Sequence, residues 1–153
     1  MTTVLFLALA FQTTEPHDDR VLPQKLRSLP VGILVQHHPN PVFAVREGDG
    51  VVWRHDTTVQ SLVGDLTLVE YGAYLHSVQG WRLRVALKPD LFARVYRCPG
   101  ARLRKGRVYT DLDNSRHGDR PIPGDALWYF LAKDAKGTVY KGTALVETEG
   151  VSP

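Results

Sequence analysis

The sequence predicts an all-β protein, an antiparallel β-sandwich with at most one short helix, and three observations carry that expectation. Glycine and proline break the chain at short intervals: Pro39 and Pro41, Gly48 and Gly50, Gly64, Gly72, Gly80, Pro99-Gly100, Gly106, Gly118, Pro121 to Gly124, and Gly137. The runs between these breaks are rich in Val, Thr, Tyr and Trp, side chains that suit a pleated, half-buried surface. No segment longer than ten residues carries a 3.6-residue apolar period, so the pattern predicts no long amphipathic helix. Many short strands with turns between them argue for antiparallel layers rather than a parallel sheet with crossover helices.

In chain order, Val4 to Phe11 is an uninterrupted apolar run, and Gln12 to Arg20 is polar. That step resembles a secretory signal giving way to mature protein, with Ala8-Leu9-Ala10 as a small-x-small cleavage site. Residues 1–11 are therefore read as a signal segment and the protein as exported, periplasmic or extracellular, although only the α-amino group supplies the positive charge before the run. The run is far below the ~18 to 20 apolar residues that span a bilayer, so no transmembrane segment is expected. Residues 12–30 form an extended or short-helical lead-in, with one helix near 22–29, where Pro23 and Pro30 bound Leu22 to Leu29. Residues 31–150 make a single domain. Strands are expected near 31–36, 42–46, 51–60, 66–74, 81–87, 91–98, 107–112, 126–133 and 138–147. Two of them alternate clearly. Leu66 and Leu68 oppose Thr67, and Trp81, Leu83, Val85 and Leu87 face away from Arg82 and Arg84, so one side is core and the other wet.

Composition limits the class. At 43% hydrophobic and 23% charged, the chain of 153 residues is too apolar for disorder and too evenly charged for a membrane bundle. Lys and Arg number 19 against 16 Asp and Glu, and a net +3 by itself argues for neither nucleic acid nor anionic lipid. A lone cysteine, Cys98, excludes an intramolecular disulfide framework and a cysteine-based zinc site.

Leu103-x-x-Gly106-x-x-Tyr109 has the spacing of a tyrosine corner, in which a turn glycine lets the tyrosine hydroxyl reach upstream backbone. The apolar stretch from Leu127, the turn Ala132-x-Asp134-x-x-Gly137, and Thr138 to Val146 form an alternating hairpin. Together these resemble the last part of immunoglobulin-like and fibronectin type III-like domains. The resemblance covers about the last 50 residues and carries no catalytic residue across. It implies an immunoglobulin-like sandwich and an adhesive or binding role.

Charge is concentrated between Gly80 and Arg120, where eleven basic residues stand against four acidic ones. Six of these cations, Arg94, Arg97, Arg102, Arg104, Lys105 and Arg107, follow one another with no acid between them, and Tyr96 lies among them. On a hairpin they would present several guanidinium groups on one surface, able to hold an anionic ligand while Tyr96 stacks beside it. Solvated cations that block edge-to-edge pairing predict the same residues. Nucleic acid is not favoured, because neither an RNA-binding signature nor a helical reader is present.

Histidines and acids give the competing reading. A metal site would need His37 or His38 to converge with His55, His76 and Glu70, and adjacent histidines in a strand point to opposite sides. Asp111 and Asp113 open like a calcium loop, but no glutamate closes it, and a polar turn predicts the same residues. A hydrolytic or metal-dependent enzyme would draw on His55, His76, Asp113, His117 or Asp119. Against it, the chain lacks a Gly-x-Ser-x-Gly elbow, a phosphate-cradling loop and a His-Glu-x-x-His motif. Cys98 reads as a small hydrophobe in a strand. The expectation is an exported, non-enzymatic binding or interaction module with no cofactor and no catalytic or metal residue assigned. Its partner is an anionic ligand or a protein. The alternatives are the enzyme and a structural domain whose sheet edge is covered in a larger assembly.

Overall fold

The computed structural model describes residues 20–152, so the signal segment read at 1–11 lies outside the described residues. Among the described residues there are nine strands: β1 Ile33–His38, β2 Val42–Glu47, β3 Gly50–Ser61, β4 Leu66–Ser77, β5 Gly80–Leu87, β6 Arg102–Leu103, β7 Val108–Gly118, β8 Gly124–Lys133 and β9 Val139–Val151. Two short helices join them, α1 Gln24–Arg27 and α2 Pro89–Val95, and a 3₁₀ turn covers Pro99–Ala101. The protein is all-β, and α1 falls inside the segment expected to hold a helix.

The strands form one sheet folded over on itself. In one layer β3 is central, pairing antiparallel with β1 (Ile33 opposite Ser61) and with β7 (Gln60 opposite Val108). The other layer runs β9, β8, β4, β5, with β6 continuing alongside β4. β2 is the crease. Its end pairs antiparallel with β3 at Val45 and Val52, and its start pairs parallel with β9 at Val42 and Thr148. This is the one parallel pairing between the named strands of the described residues, and it closes the fold on that side. On the opposite side β7 and β5 each have, among the described residues, a neighbour on one flank alone, and these residues leave the fold open between them.

Between the layers the core has two parts. Ile33, Val35 and Val59 meet Leu66, Leu68, Tyr71 and Phe130 at one end, while Val51 and Trp53 meet Ala126 and Val146 at the other. Outside, Leu26 of α1 is fully buried against Tyr74, Leu127, Tyr129 and Leu131. Burying one leucine contributes about 2 kcal/mol. A four-residue helix has little stability of its own. Its last carbonyls are capped from the sheet, where the buried Lys141 Nζ donates to Leu26 O at 2.6 Å.

Tyr109 O–H donates to Arg102 O at 3.1 Å and accepts from Arg104 N–H at 3.2 Å, which is the corner its spacing implied. Gly106 supplies the turn with φ +74°, a value that disfavours any side chain. The Asp134 carboxylate accepts from the amides of Lys136 and Thr138, both at 2.9 Å, and closes the last hairpin.

Two expectations are corrected. Residues 91–98 are not a strand. Pro89 fits the first helical position, Asp90 sits in the first turn, and Phe92 and Tyr96, four apart, stack at 4.3 Å to make the buried face of α2. Arg97 then takes φ 50°, and Cys98 N–H bonds Ala93 O at 2.9 Å, so the helix ends in a left-handed cap. A second helix therefore exists beside the single one expected. The polar stretch 111–118 is also not a turn, since β7 runs through it to Gly118.

Candidate functional site

Bulges on the two free edges build the site. Between β3 and β7, His55 pairs Asn114 and Thr57 pairs Asp111, so β7 spends one residue more than β3 over the same interval. Between β4 and β5, Ala73 pairs Val85 and Tyr74 pairs Leu83, which leaves Arg84 as the extra residue. Since side chains alternate along a strand, one extra residue reverses which face each later side chain takes. On β7 this turns Asn114 and Arg116 inward after Tyr109. On β5 it separates Trp81, which joins the outer cluster with Leu26, from Val85 and Leu87 on the inner side. Leu83 is left exposed. The expected single apolar face of 81, 83, 85 and 87 is thus split by the bulge.

The result is a cleft of 330 Å³ between β5 and β7, with Ala73, Leu75, Val85, Ala126, Trp128 and Val146 as apolar walls. Arg84 and Arg116 line it from opposite edges. Arg116 is held in place, because its Nη1 donates to Thr148 Oγ1 at 3.0 Å and its guanidinium lies 4.5 Å from the Trp53 ring centre. Burial and the neighbouring Arg84 charge draw the Arg116 pKa below its usual value. Among the described residues no carboxylate forms an ion pair with either arginine.

Behind the walls lies a buried polar group. Thr57 is fully enclosed, and its hydroxyl accepts from Asn114 Nδ2 at 2.8 Å and lies 3.0 Å from His37 Nδ1. His55 packs edge-on against His37 with ring centres 5.1 Å apart, and it is 5% exposed with both ring nitrogens unpartnered. Burial lowers both histidines from 6.5 to about 4, and each is neutral at pH 7. His37 is lowered further by His55, whereas Asp56 pulls His55 back upward.

The structure brings together part of what the sequence nominated. His37 and His55 meet, but His76 lies on the outer side, 4.8 Å from Trp81, and Glu70 bonds Lys25 and the Tyr129 hydroxyl there. Among the described residues no three His, Cys, Asp or Glu side chains gather to hold a metal. Asp113 is exposed and lies 3.7 Å from Arg54, and Asp119 is exposed. Ser115 Oγ stands 3.4 Å from His117 Nε2, a long contact, and among the described residues no carboxylate is hydrogen-bonded to that imidazole.

The basic cluster does not lie on a hairpin. Arg94 is on α2, Arg97 at its cap, Arg102 on β6, and Arg104, Lys105 and Arg107 around the Gly106 turn, all exposed. Tyr96 is a correction: at 2% exposure it is part of the core and has no free ring face for a ligand. Asp65, distant in sequence, takes Arg104 at 2.8 Å and lies 4.0 Å from Arg102, and the Arg107 guanidinium lies over the Tyr109 ring. Cys98 is buried, and its thiol pKa is raised by burial.

A second hollow of 560 Å³ lies on the outer surface, between the lead-in at 20–27 and Tyr74, His76 and Trp81. It is shallower than the cleft and lacks walls from both layers. Of the residues that make the cleft, Arg84 was legible as a polar strand residue and Asn114 and Arg116 only as part of a polar turn, and none was legible as a neighbour of the others, since a bulge leaves no mark in residue type. No protein family matches the chain, and no curated protein matches it.

Proposed function

We propose that this is an exported, non-enzymatic binding domain of immunoglobulin-like design, and that it binds its ligand in the cleft between β5 and β7. One observation carries the reading: the fold is closed on the β2 side and left open on the other, where apolar walls meet polar groups that are more than nine-tenths buried. A well-packed core leaves few voids of this size. The apolar run Val4 to Phe11 supports export, and the tyrosine corner and last hairpin support the immunoglobulin-like likeness. Among the described residues no helix is long and apolar enough to cross a membrane.

The enzyme reading is less well supported, because the polar groups nominated for it are spread over the interior, the outer layer and the exposed edge of β7. Pairing with a partner strand is also disfavoured, since bulges and the charges of Arg82 and Arg84 blunt the β5 edge. The six exposed cations from Arg94 to Arg107 remain a surface for contact with an anionic partner, weakened by Asp65.

Nile red, a neutral apolar dye, tests the cleft. We expect saturable, one-to-one enhancement of its fluorescence by the native protein and loss of that signal in Val85→Trp, which fills the cleft from the edge. Enhancement that ignores Val85→Trp would overturn the assignment, as would none at all.

A further inference from the structure

We propose that the cleft takes a small amphipathic anion, an apolar chain ending in a carboxylate, with the carboxylate between Arg84 and Arg116 and the chain against Trp128. This rests on the reading of the cleft as the binding site and names its ligand class.

The arginines give the first reason. Arg84 and Arg116 line the same cleft as two like charges near each other, and among the described residues no carboxylate forms an ion pair with either. Like charges in a partly apolar cleft disfavour one another, and an anion placed between them relieves that cost. Arg116 is also oriented before any ligand arrives. Thr148 Oγ1 takes one of its N–H groups and Ile122 O another at 3.5 Å, which leaves the other donors of the five-donor guanidinium free. A planar carboxylate matches such a fork, and preorganisation lowers the cost of binding it.

The walls give the second reason. A bare inorganic anion would use the arginines and leave Leu75, Val85, Trp128 and Val146 uncovered. A space of 330 Å³ holds about ten non-hydrogen atoms at about 30 Å³ each, the share of a water molecule in the liquid. That size suits a chain of about eight to ten carbons if the two carboxylate oxygens stand at the open mouth of the cleft rather than inside it. An extended peptide fits less well. The extra residue on each edge strand interrupts the ladder that a peptide backbone would have to follow.

The test is titration of the folded protein with decanoate, decanol and acetate, followed by amide NMR shifts in β5, β7 and β8. Decanoate is expected to move these amides at concentrations at least about tenfold lower than decanol or acetate, the ratio for one charge-assisted contact. Arg84→Ala, on an exposed edge strand where folding is not at stake, is expected to weaken decanoate about tenfold and leave decanol unchanged. Decanol binding as tightly as decanoate, or an indifferent Arg84→Ala, would overturn the anion while leaving the cleft as the site. If none of the three moves these amides at millimolar concentration, both the ligand class and the cleft reading fall.

Discussion

Acid should unfold this protein through the two histidines enclosed behind the cleft. In the unfolded chain a histidine binds a proton near pH 6.5, whereas His37 and His55 in the fold resist it until about pH 4. Between those values the unfolded state binds more protons, so stability falls as pH drops from 6.5 to 4 and is flat below that range. At pH 5 a single histidine with this shift costs about 2 kcal/mol relative to pH 7. Water reaching the cleft screens part of this for the pair, and we expect a combined loss of about 2 to 4 kcal/mol. Asp56 favours the proton on His55 and makes the upper figure a ceiling. With a urea slope of about 2 kcal/mol/M, the unfolding midpoint should move down by about 1 to 2 M between pH 7 and pH 5. His55→Gln keeps a polar side chain of similar size without titration, and it should remove about half of that movement. A midpoint shift of the same size in His55→Gln would refute the argument, because the pH dependence would then come from other groups.

Four further outcomes follow from the same contacts. Trp53→Ala removes a fully buried indole whose Nε1–H donates to Glu149 O at 2.6 Å, and should cost about 3 to 5 kcal/mol by urea unfolding. Tyr109→Phe strips the corner of both backbone bonds and should cost about 1 to 2 kcal/mol in the same assay. A Cβ on Gly72 would stand 2.1 Å from Val85 O, so Gly72→Ala should push β5 off β4, read as accelerated amide exchange in β5 with β8 and β9 little changed. On heparin, Asp65→Asn should elute at higher salt than wild type, because Arg102 and Arg104 are freed. Equal elution would show that Asp65 does not mask them.

Much of the architecture was legible because it is written in local patterns. Alternation at Leu66 and Leu68, the Gly106–Tyr109 spacing and the Asp134–Gly137 turn each dictate a backbone conformation within a few residues, and each is found. The segment 91–98 misled because Phe92, Val95 and Tyr96 suit either a strand or two turns of helix. Pro89 and the four-residue spacing of Phe92 and Tyr96 decide it. The cleft was not legible. It depends on one surplus residue in β7 and one in β5, and whether a strand carries a surplus is fixed by its partner's register, not by its own composition. The basic run misled in the other direction, because Asp65, which offsets it, lies far away in sequence.

The most direct measurement is the set of intermolecular NOEs between decanoate and the protein at saturating ligand. We expect NOEs from the chain methylenes to the Trp128 indole and to the Val85 and Val146 methyls, with the strongest chemical-shift changes at Arg84 and Arg116. NOEs confined to Tyr74 and Trp81 would place the ligand in the outer hollow beside α1 and contradict the assignment of the open seam as the binding site.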